Sequence, residues 1–440
     1  YERVLKGEVD ILVGPRSAVF APFKRLGIII VDEEHEKSYI SEQTPCYNAS
    51  EVAIFRSETE GFPVVFGSAT PGVGSYEKAK NGEYTLLELK ERANGKGLPK
   101  VYVADMRKEL EAKNTSVFSR LLREKIEDRL KKGEQTILFI NRRGYAGFVS
   151  CRSCGYVVKC PHCDVSLTAH MNYGKVNRLK CHYCGYEAVM PNTCPECGSK
   201  YIAKFGIGTE KIVELLKKEF PAAKVLRMDG DTTRNKNGHE RVLSPFRQGE
   251  ADILVGTQMI VKGHDFPGVT LVAALAADMS VFEGDYGSYE KTYQLLSQAG
   301  GRAGRGESPG EFVIQTYRPD EYCIKAVEKS DPEFFYEKEL GFRRLMGYPP
   351  YMSMLTVMVS SVSEMTAARC IERLKNEVEE SPDIVCIGPS AARVAKVKDQ
   401  YRFVMHIKSK EDECITRAIA VISGAHRSMA QGCYVSFYRS

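Results

Sequence analysis

Residues 26–35 read LGIIIVDEEH, a run of apolar and β-branched residues that ends in three acids and a histidine. A continuous apolar run of this kind is typical of a parallel strand that is buried on both faces. Sheets built from such strands collect their ligand chemistry at the strands' carboxyl ends. Asp32 would stand there to hold Mg²⁺ through water, and Glu33 to orient and deprotonate a water that attacks a γ-phosphate. The stretch therefore predicts an α/β fold with a nucleotide site.

Two other apolar runs also lead into polar loops. Residues 62–66 precede the turn GSATP at 67–71, and residues 251–255 precede the loop GTQMIVKGHDF at 256–266. Small residues and hydroxyls at these positions allow a ligand to approach the backbone closely. The repetition strengthens the prediction of a doubly wound sheet with its chemistry at one edge.

The segment QAGGRAGRG, residues 298–306, contains Arg302 and Arg305 beside several glycines. Guanidinium groups are permanently charged and present forked donors, which suits the stabilisation of phosphoryl transfer. We expect both arginines to face a triphosphate.

Eight of the 14 cysteines form four Cys-x-x-Cys pairs, at Cys151/Cys154, Cys160/Cys163, Cys181/Cys184 and Cys194/Cys197. Each pair lets two thiolates on one tight turn bind a tetrahedral Zn²⁺. The 17 residues between the second and third pairs favour an inner site made of those two pairs, enclosed by an outer site made of the first and fourth. Sequential pairing remains the alternative. We expect two structural Zn²⁺ ions rather than disulfides, which at this density belong to small secreted domains.

The composition is that of an ordinary globular protein, with 43% hydrophobic and 27% charged residues and a net charge of +5. Neither a signal peptide nor an apolar run of about 18 residues is present, which predicts a cytoplasmic protein without a membrane partner. The sequence begins at Tyr1 and soon enters a strand-like run at 9–14, and it has no Gly-x-x-x-x-Gly-Lys-Ser/Thr motif. We therefore expect an N-terminally truncated piece whose phosphate-binding loop lies upstream, and no ATPase activity from the 440 residues alone.

The motifs DEEH, SAT, GTQMI…KGHDF and QAGGRAGR, in this order, resemble those of superfamily 2 helicases. The cysteine block, which follows FINRRGY at 139–145, narrows the resemblance to the bacterial replication-restart DNA helicases of the PriA family. Residues 13–23, 231–233, 262–267 and 347–350 are also similar to that family. The resemblance extends over essentially the whole chain.

This resemblance implies specific roles for residues of the motifs, with ATP and Mg²⁺ as cofactors. The catalytic set would be Asp32, Glu33, His35, Arg302 and Arg305. The nucleotide-binding set would be Ser68, Thr70, Gly263, Asp265 and Gln298. His35 would link the nucleotide site to the SAT turn, and Asp265 would contact the nucleotide or the arginines. DNA would contact Tyr39, Tyr47, Arg142, Arg143 and Lys262. The loop between Tyr39 and Tyr47 is poorer in basic and aromatic residues than the family pattern.

A second DNA-binding candidate lies near the C-terminus. Residues 391–410 contain six basic side chains, among them Lys398, Arg402 and Lys408, with Tyr401 and Phe403 between them. Aromatic and basic residues that alternate are typical of single-strand stacking platforms. The acidic tail of single-stranded-DNA-binding protein is another candidate ligand, and a solvated basic edge strand remains the alternative.

The predicted fold class is α/β, with two RecA-like helicase lobes of which the first is incomplete, a zinc-binding insertion in the second lobe, and a small α+β C-terminal domain. The predicted divisions are 1–92 (lobe 1), 93–148 and 201–328 (lobe 2), 149–200 (zinc insertion) and 329–440 (C-terminal domain).

The resemblance implies an ATP-dependent DNA helicase that recognises and remodels stalled replication forks and promotes primosome assembly for replication restart. Expected partners are forked and single-stranded DNA, single-stranded-DNA-binding protein, and primosome and helicase-loading proteins, bound by a monomer. The alternative is a non-catalytic zinc-bearing scaffold that docks replication proteins. The intact DEEH and GGRAGR motifs favour the enzyme, because a scaffold has no physical reason to retain them.

Overall fold

A computed structural model describes most of the chain. The described residues are 1–41, 46–89, 97–140, 148–163, 165–172, 175–204, 208–229, 232–233, 238–260, 266–282, 284–306, 308–379, 383–428 and 432–439. The chain divides into two compact units, residues 1–86 with 438–440 and residues 87–437. The five divisions predicted from the sequence stay predictions.

The first unit contains one two-stranded parallel sheet that carries the DEEH and SAT loops. Its elements are α1 (Glu2–Lys6), β1 (Ile29–Asp32), β2 (Ile40–Ser41), β3 (Tyr47–Asn48), α2 (Ala49–Glu60), β4 (Val64–Gly67) and α3 (Val73–Lys80). Strands β1 and β4 run parallel, with Asp32 paired to Gly67. Their carboxyl ends therefore lie side by side, as the two sequence runs predict.

The strand expected at residues 9–14 does not form. These residues pair with no strand in the part of the chain that the structure describes, and Ile11 and Val13 are 82% and 92% exposed. An apolar run becomes a strand only where a neighbour satisfies its backbone N–H and C=O groups.

The second unit is built on a six-stranded sheet in which every pairing is parallel. Its first elements are β5 (Lys100–Asp105), α4 (Met106–Glu111), α5 (Arg120–Lys132) and β6 (Gln135–Phe139). The cysteine block follows, with β7 (Val149–Cys151), β8 (Thr168–Asn172), β9 (Lys175–Lys180), β10 (Glu187–Val189) and β11 (Ile202–Lys204). The sheet is completed by α6 (Thr209–Glu219), β12 (Val225–Met228), α7 (Gly238–Arg247), β13 (Ile253–Gly256), β14 (Val269–Ala274), α8 (Asp278–Val281), α9 (Ser288–Gly300) and β15 (Glu311–Thr316).

The strand order is β12-β13-β6-β14-β15-β5, and all residues of β13, β6 and β14 are buried. Central parallel strands covered on both faces explain the continuous apolar runs of the sequence. Helix α5 is capped by Ser119, whose side chain accepts a hydrogen bond from the Leu122 amide at 3.2 Å. Thr209 is the first residue of α6, and its hydroxyl donates to Asp229 Oδ2 at 2.7 Å.

The C-terminal part of this unit is a helix-covered sheet. Its elements are α10 (Tyr322–Lys329), α11 (Pro332–Met346), β16 (Ser353–Ser361), α12 (Glu364–Glu379), β17 (Val385–Val397), β18 (Gln400–Ser409), α13 (Asp412–Ser428) and β19 (Tyr434–Arg439). The order is β17-β18-β16-β19, with β18 antiparallel to both of its neighbours. Helices α12 and α13 pack on one face of this sheet around Met405 and Ile407. Among the described helices, none is long and apolar enough to cross a membrane.

Candidate zinc centre and nucleotide-site residues

The eight cysteines of the block gather into two groups. The inner cluster is Cys160, Cys163, Cys181 and Cys184, and the outer cluster is Cys151, Cys154, Cys194 and Cys197. Within each cluster the four sulfur atoms lie within 4.8 Å of one another. These are the two groups that the nested arrangement predicts.

The sulfur spacing fits a tetrahedral zinc site. The Sγ–Sγ distance is 3.5 Å for Cys160 and Cys184, 3.7 Å for Cys151 and Cys197, and 3.6 Å for Cys154 and Cys194. Four sulfurs at a Zn–S distance of about 2.3 Å are about 3.8 Å apart. The thiol of Cys163 hydrogen-bonds to Cys181 and lowers the pKa of Cys181, which favours the thiolate that zinc needs. Both clusters therefore support structural zinc.

The tight turns that present the cysteines have a local cause. In three of the four pairs a glycine follows the second cysteine, and its amide donates to the carbonyl of the first: Gly155 to Cys151 (2.8 Å), Gly185 to Cys181 (3.0 Å) and Gly198 to Cys194 (2.9 Å). These glycines have φ values of 78°, 80° and 69°, in the left-handed region that a side chain disfavours. The sequence Cys-x-x-Cys-Gly thus fixes the turn before any metal binds.

The two clusters differ in their surroundings. Cys160, Cys163 and Cys181 are at most 5% exposed, and Cys184 is partly buried. Cys151 and Cys194 of the outer cluster are also buried, in the same core that includes Tyr183 and Tyr348. In the outer cluster, Cys197 is exposed. The inner cluster is therefore buried between the cysteine block and the C-terminal sheet, whereas the outer cluster reaches solvent.

A layer of aromatic residues joins the inner cluster to the C-terminal sheet. Tyr183, which lies between Cys181 and Cys184, stacks on His406 of β18 at a centroid distance of 4.5 Å. Tyr286 stacks on Tyr348 at 4.6 Å. Burial lowers the pKa of His406 to about 4.

Lys408, also on β18, is part of this layer. Its Nζ lies 3.5 Å from the centroid of the Tyr348 ring and donates to the Met346 carbonyl at 3.2 Å. Lys408 is 6% exposed, so it lies inside the molecule and not on the basic surface to which the sequence assigns it. Burial lowers its pKa to about 8. The alternation of Val404, His406 and Lys408 along one face of the strand is the signal that could have placed it there.

In the first unit the two loops at the strand ends are bonded together. His35 Nδ1 lies 2.7 Å from Ser68 Oγ, which also accepts a hydrogen bond from the Thr70 amide at 3.0 Å. The Glu33 amide donates to Asp32 Oδ1 at 3.0 Å. The structure thus brings together the acids of DEEH and the hydroxyls of SAT, although the nucleotide-binding roles of these residues stay predictions.

Two buried polar atoms in these loops, Glu33 Oε2 and Thr70 Oγ1, have no hydrogen-bond partner among the described residues. Glu33 Oε2 lies 3.7 Å from His35 Nδ1, which is beyond hydrogen-bond distance. Glu33 also has a φ of 49°, a left-handed backbone that is strained for this residue type. Unpaired buried polar atoms are costly, and strained backbone concentrates at functional sites. Both features fit a site built to receive a polar ligand.

Glu34 is a positioning residue that the sequence analysis missed. Its Oε1 accepts a hydrogen bond from the Gly72 amide at 2.6 Å, and its Oε2 accepts one from the Ser75 hydroxyl at 3.0 Å. Glu34 thereby fixes the start of α3 beside the SAT turn. The sequence feature that could have identified this role is the acid Glu34 directly after Glu33, together with Gly72 and Ser75 just after the SAT turn.

The arginines of GGRAGR follow α9 in the second unit. Arg305 is exposed and donates from Nε to the Gly301 carbonyl at 3.1 Å. Gln298 lies in the last turn of α9. Gly304, with a φ of 69°, packs so closely that a Cβ would lie 2.3 Å from the Gly310 amide nitrogen. This turn therefore requires glycine and holds the arginine-bearing segment against the start of β15.

Of the residues predicted to contact DNA, some contact other parts of the protein and others are exposed. The Tyr39 hydroxyl donates to the Asp32 carbonyl at 2.6 Å, and Tyr47 packs edge-on against Phe20 at 4.9 Å. Arg402 directs Nη2 at the Met358 sulfur, 2.8 Å away, whereas Lys398 is exposed in the turn between β17 and β18. Five predicted residues lie outside the described part of the chain: Arg142, Arg143, Lys262, Gly263 and Asp265.

Three segments match known protein families. Residues 200–307 match the helicase conserved C-terminal domain, residues 160–188 the PriA DNA helicase Cys-rich region domain, and residues 344–437 the primosomal protein N C-terminal domain. Together with the parallel sheet and the paired cysteine clusters, these matches define a helicase-domain protein that carries a cysteine-rich zinc module.

Whole-chain similarity then specifies the family. The replication restart protein PriA of Bacillus subtilis (strain 168) is 50% identical over 414 residues, which cover 94% of this chain and 51% of that protein. PriA of Synechocystis sp. is 42% identical over 416 residues, 93% of this chain and 50% of that protein. The chain belongs to the PriA family of replication restart proteins. It spans about half the length of these curated relatives.

Among solved structures, the Mycobacterium smegmatis helicase Lhr bound to ssDNA and AMP-PNP has a TM-score of 0.37 and 15% identity, and the match covers 72% of this chain and 32% of Lhr.

Proposed function

We propose that this chain belongs to an ATP-dependent DNA helicase that recognises and remodels stalled replication forks and promotes primosome assembly. Family membership supports the helicase and replication-restart parts of this proposal. The observation that carries the nucleotide site is the pair of buried atoms Glu33 Oε2 and Thr70 Oγ1, which accept or donate no hydrogen bond among the described residues, at the adjoining ends of β1 and β4.

The chain's own residues suit phosphoryl transfer. Asp32 would hold Mg²⁺, which neutralises charge on the phosphates when it is bound with ATP. Glu33 would orient and deprotonate the attacking water, and the hydrogen bond between His35 and Ser68 would transmit the state of this loop to the SAT turn. Arg302 and Arg305 would stabilise the charge that develops on the transferred group.

DNA binding is proposed for the β17–β18 hairpin. Residues 393–400 at its tip are all exposed and include Arg393, Lys396 and Lys398. Lys396 Nζ lies 5.0 Å from the Tyr401 ring centroid. Exposed bases beside an aromatic ring suit a single strand, or the acidic tail of single-stranded-DNA-binding protein. Primosome and helicase-loading proteins are the further partners that the proposal includes.

The test measures DNA-stimulated ATPase activity in the complete natural polypeptide. Glu33→Gln should preserve ATP binding and lower turnover by roughly 100-fold or more, because a positioned general base contributes ~10²–10⁴. Arg305→Ala should also impair hydrolysis while thermal stability stays unchanged, since Arg305 is exposed.

The exposed residues Glu58 and Arg247 supply matched controls, as Glu58→Gln and Arg247→Ala. Near-normal hydrolysis in Glu33→Gln would contradict the role of Glu33. Absence of DNA-stimulated hydrolysis in the unaltered complete polypeptide would instead favour the non-catalytic scaffold.

A further inference from the structure

Lys408 is a buried cation without a carboxylate partner in the described part of the chain. It is 6% exposed, and among the described residues it contacts the Met346 carbonyl and the face of Tyr348. An ammonium group removed from water is costly unless an anion compensates it. One neutral carbonyl and one aromatic ring do not supply a full negative charge.

The inner cluster supplies negative charge to the same core. Cys163 and Cys181 pack in one hydrophobic core with Tyr348, and the Lys408 ammonium lies 3.5 Å from the centroid of the Tyr348 ring. Four thiolates around one Zn²⁺ carry a net charge of about −2. Zinc binds the cysteines as thiolates and releases their protons, so the full charge of the cluster is present when metal is bound.

We propose that Lys408 is the buried counter-cation of the zinc-bound inner cluster, so that zinc at this site docks the C-terminal sheet against the cysteine block. Lys408 is carried by β18 of the C-terminal sheet, while its counter-charge belongs to the cysteine block. Loss of zinc leaves the ammonium buried without compensation, and the contact between the two parts loosens. Lys408 is a positioning residue and not a zinc ligand.

Other contacts lie between the same two parts of the chain. The Ser390 hydroxyl donates to the His182 carbonyl at 2.8 Å, and His182 Nδ1 lies 3.0 Å from the Ala391 carbonyl. Tyr183 stacks on His406. All of these contacts join the Cys181–Cys184 turn of the inner cluster to β17 and β18. The outer cluster takes no part in them, which provides an internal reference.

The first experiment follows zinc release from the zinc-loaded protein with a chromogenic chelator. Lys408→Met keeps the length and apolar stem of the side chain and removes the charge. Zinc should leave the inner cluster at least ~10-fold faster in this variant, in the range typical for groups that support metal ligands, while outer-cluster release is unchanged. Lys410→Met removes one charge from an exposed position next to the end of β18 and should change neither rate.

Identical release kinetics in folded Lys408→Met and the unaltered protein would overturn the proposal. A second measurement does not depend on whether that variant folds. Hydrogen exchange of the unaltered protein, with zinc and after chelation, should rise at residues 346–348 and 404–408 when metal is lost. Exchange at 394–400, at the far end of the hairpin, should stay constant.

Unchanged exchange around Lys408 after loss of inner zinc would also refute the role. Neither measurement uses DNA or ATP, so the outcome is separate from the helicase proposal.

Discussion

The inner and outer cysteine clusters have the same ligands but different surroundings. Each consists of two Cys-x-x-Cys turns with sulfurs within 4.8 Å. The inner cluster is buried among Tyr183, Tyr348 and the C-terminal sheet, and the outer cluster has an exposed ligand, Cys197. The comparison teaches that local turn chemistry builds a zinc site, whereas its neighbours decide how much of the fold depends on it.

The largest effect is expected from removing one ligand of each cluster. The unaltered chain should hold two zinc ions. Cys181→Ser should lose the inner zinc and unfold the cysteine block, because metal binding contributes on the order of 10 kcal/mol to such small domains. Cys197→Ser should keep a weakly bound zinc, since water can reach the fourth position at an exposed ligand. Elemental analysis and thermal unfolding provide the measurement.

The expected difference between the inner and outer clusters would be contradicted if both serine variants retained the same zinc content and the same thermal stability. In that case burial would not distinguish the clusters.

A smaller effect is expected on how the free energy of unfolding depends on pH, because His406 lies beside the inner cluster. Burial lowers the pKa of His406 to about 4, against 6.5 for an ordinary histidine. Between these values the unfolded chain binds a proton that the folded chain does not, so stability is full above pH 6.5 and falls as the pH is lowered toward 4. The loss is about 3 kcal/mol at most.

Urea unfolding of zinc-loaded protein at pH 7 and pH 5 should show this loss. His406→Gln should have a shallower dependence, and an NMR titration of the His406 ring should show it neutral at pH 5. Equal pH dependence in the variant and the unaltered protein would mean that another group causes the acid sensitivity.

The smallest effect separates the two turns of the outer cluster. Alanine at Gly155 or Gly198 would be forced into a left-handed conformation, which costs roughly 1–2 kcal/mol in either case. A Cβ at Gly155 would also lie 2.4 Å from the Tyr317 carbonyl oxygen, whereas a Cβ at Gly198 would have no neighbour within 4 Å among the described residues.

Gly155→Ala should therefore cost roughly 2 kcal/mol more than Gly198→Ala, as overpacking does. Paired chemical denaturation of the two variants is the measurement. Equal losses would show that the Gly155 turn moves freely away from the strand end at Tyr317.

Much of the fold was predictable because its causes lie within short segments. Buried parallel strands appear as continuous apolar runs, and β1, β4 and β13 lie where those runs predict. The run at 9–14 failed as a strand because pairing depends on a neighbour that a local pattern does not specify. The hydrogen bond from the Thr209 hydroxyl to Asp229, 20 residues away, is likewise a contact that no local pattern specifies.

At the cysteine clusters, too, some features follow from local sequence and others depend on long-range contacts. The Cys-x-x-Cys-Gly pattern determines that thiolates come in pairs, since the turn is closed by one short-range hydrogen bond. Spacing favoured the nested arrangement but left a sequential alternative. The contact between Cys151 and Cys197, 46 residues apart, shows which pairs meet.

The sequence by itself determined the parallel sheet, the paired zinc-binding turns and the order of the helicase motifs, because each is a short-range pattern of residue types. Only the tertiary structure decided which cysteine pairs share a cluster, and that Lys408 lies beneath Tyr348 and not on a basic surface. Strand alternation specifies which face a side chain occupies, but whether another part of the chain covers that face depends on long-range packing.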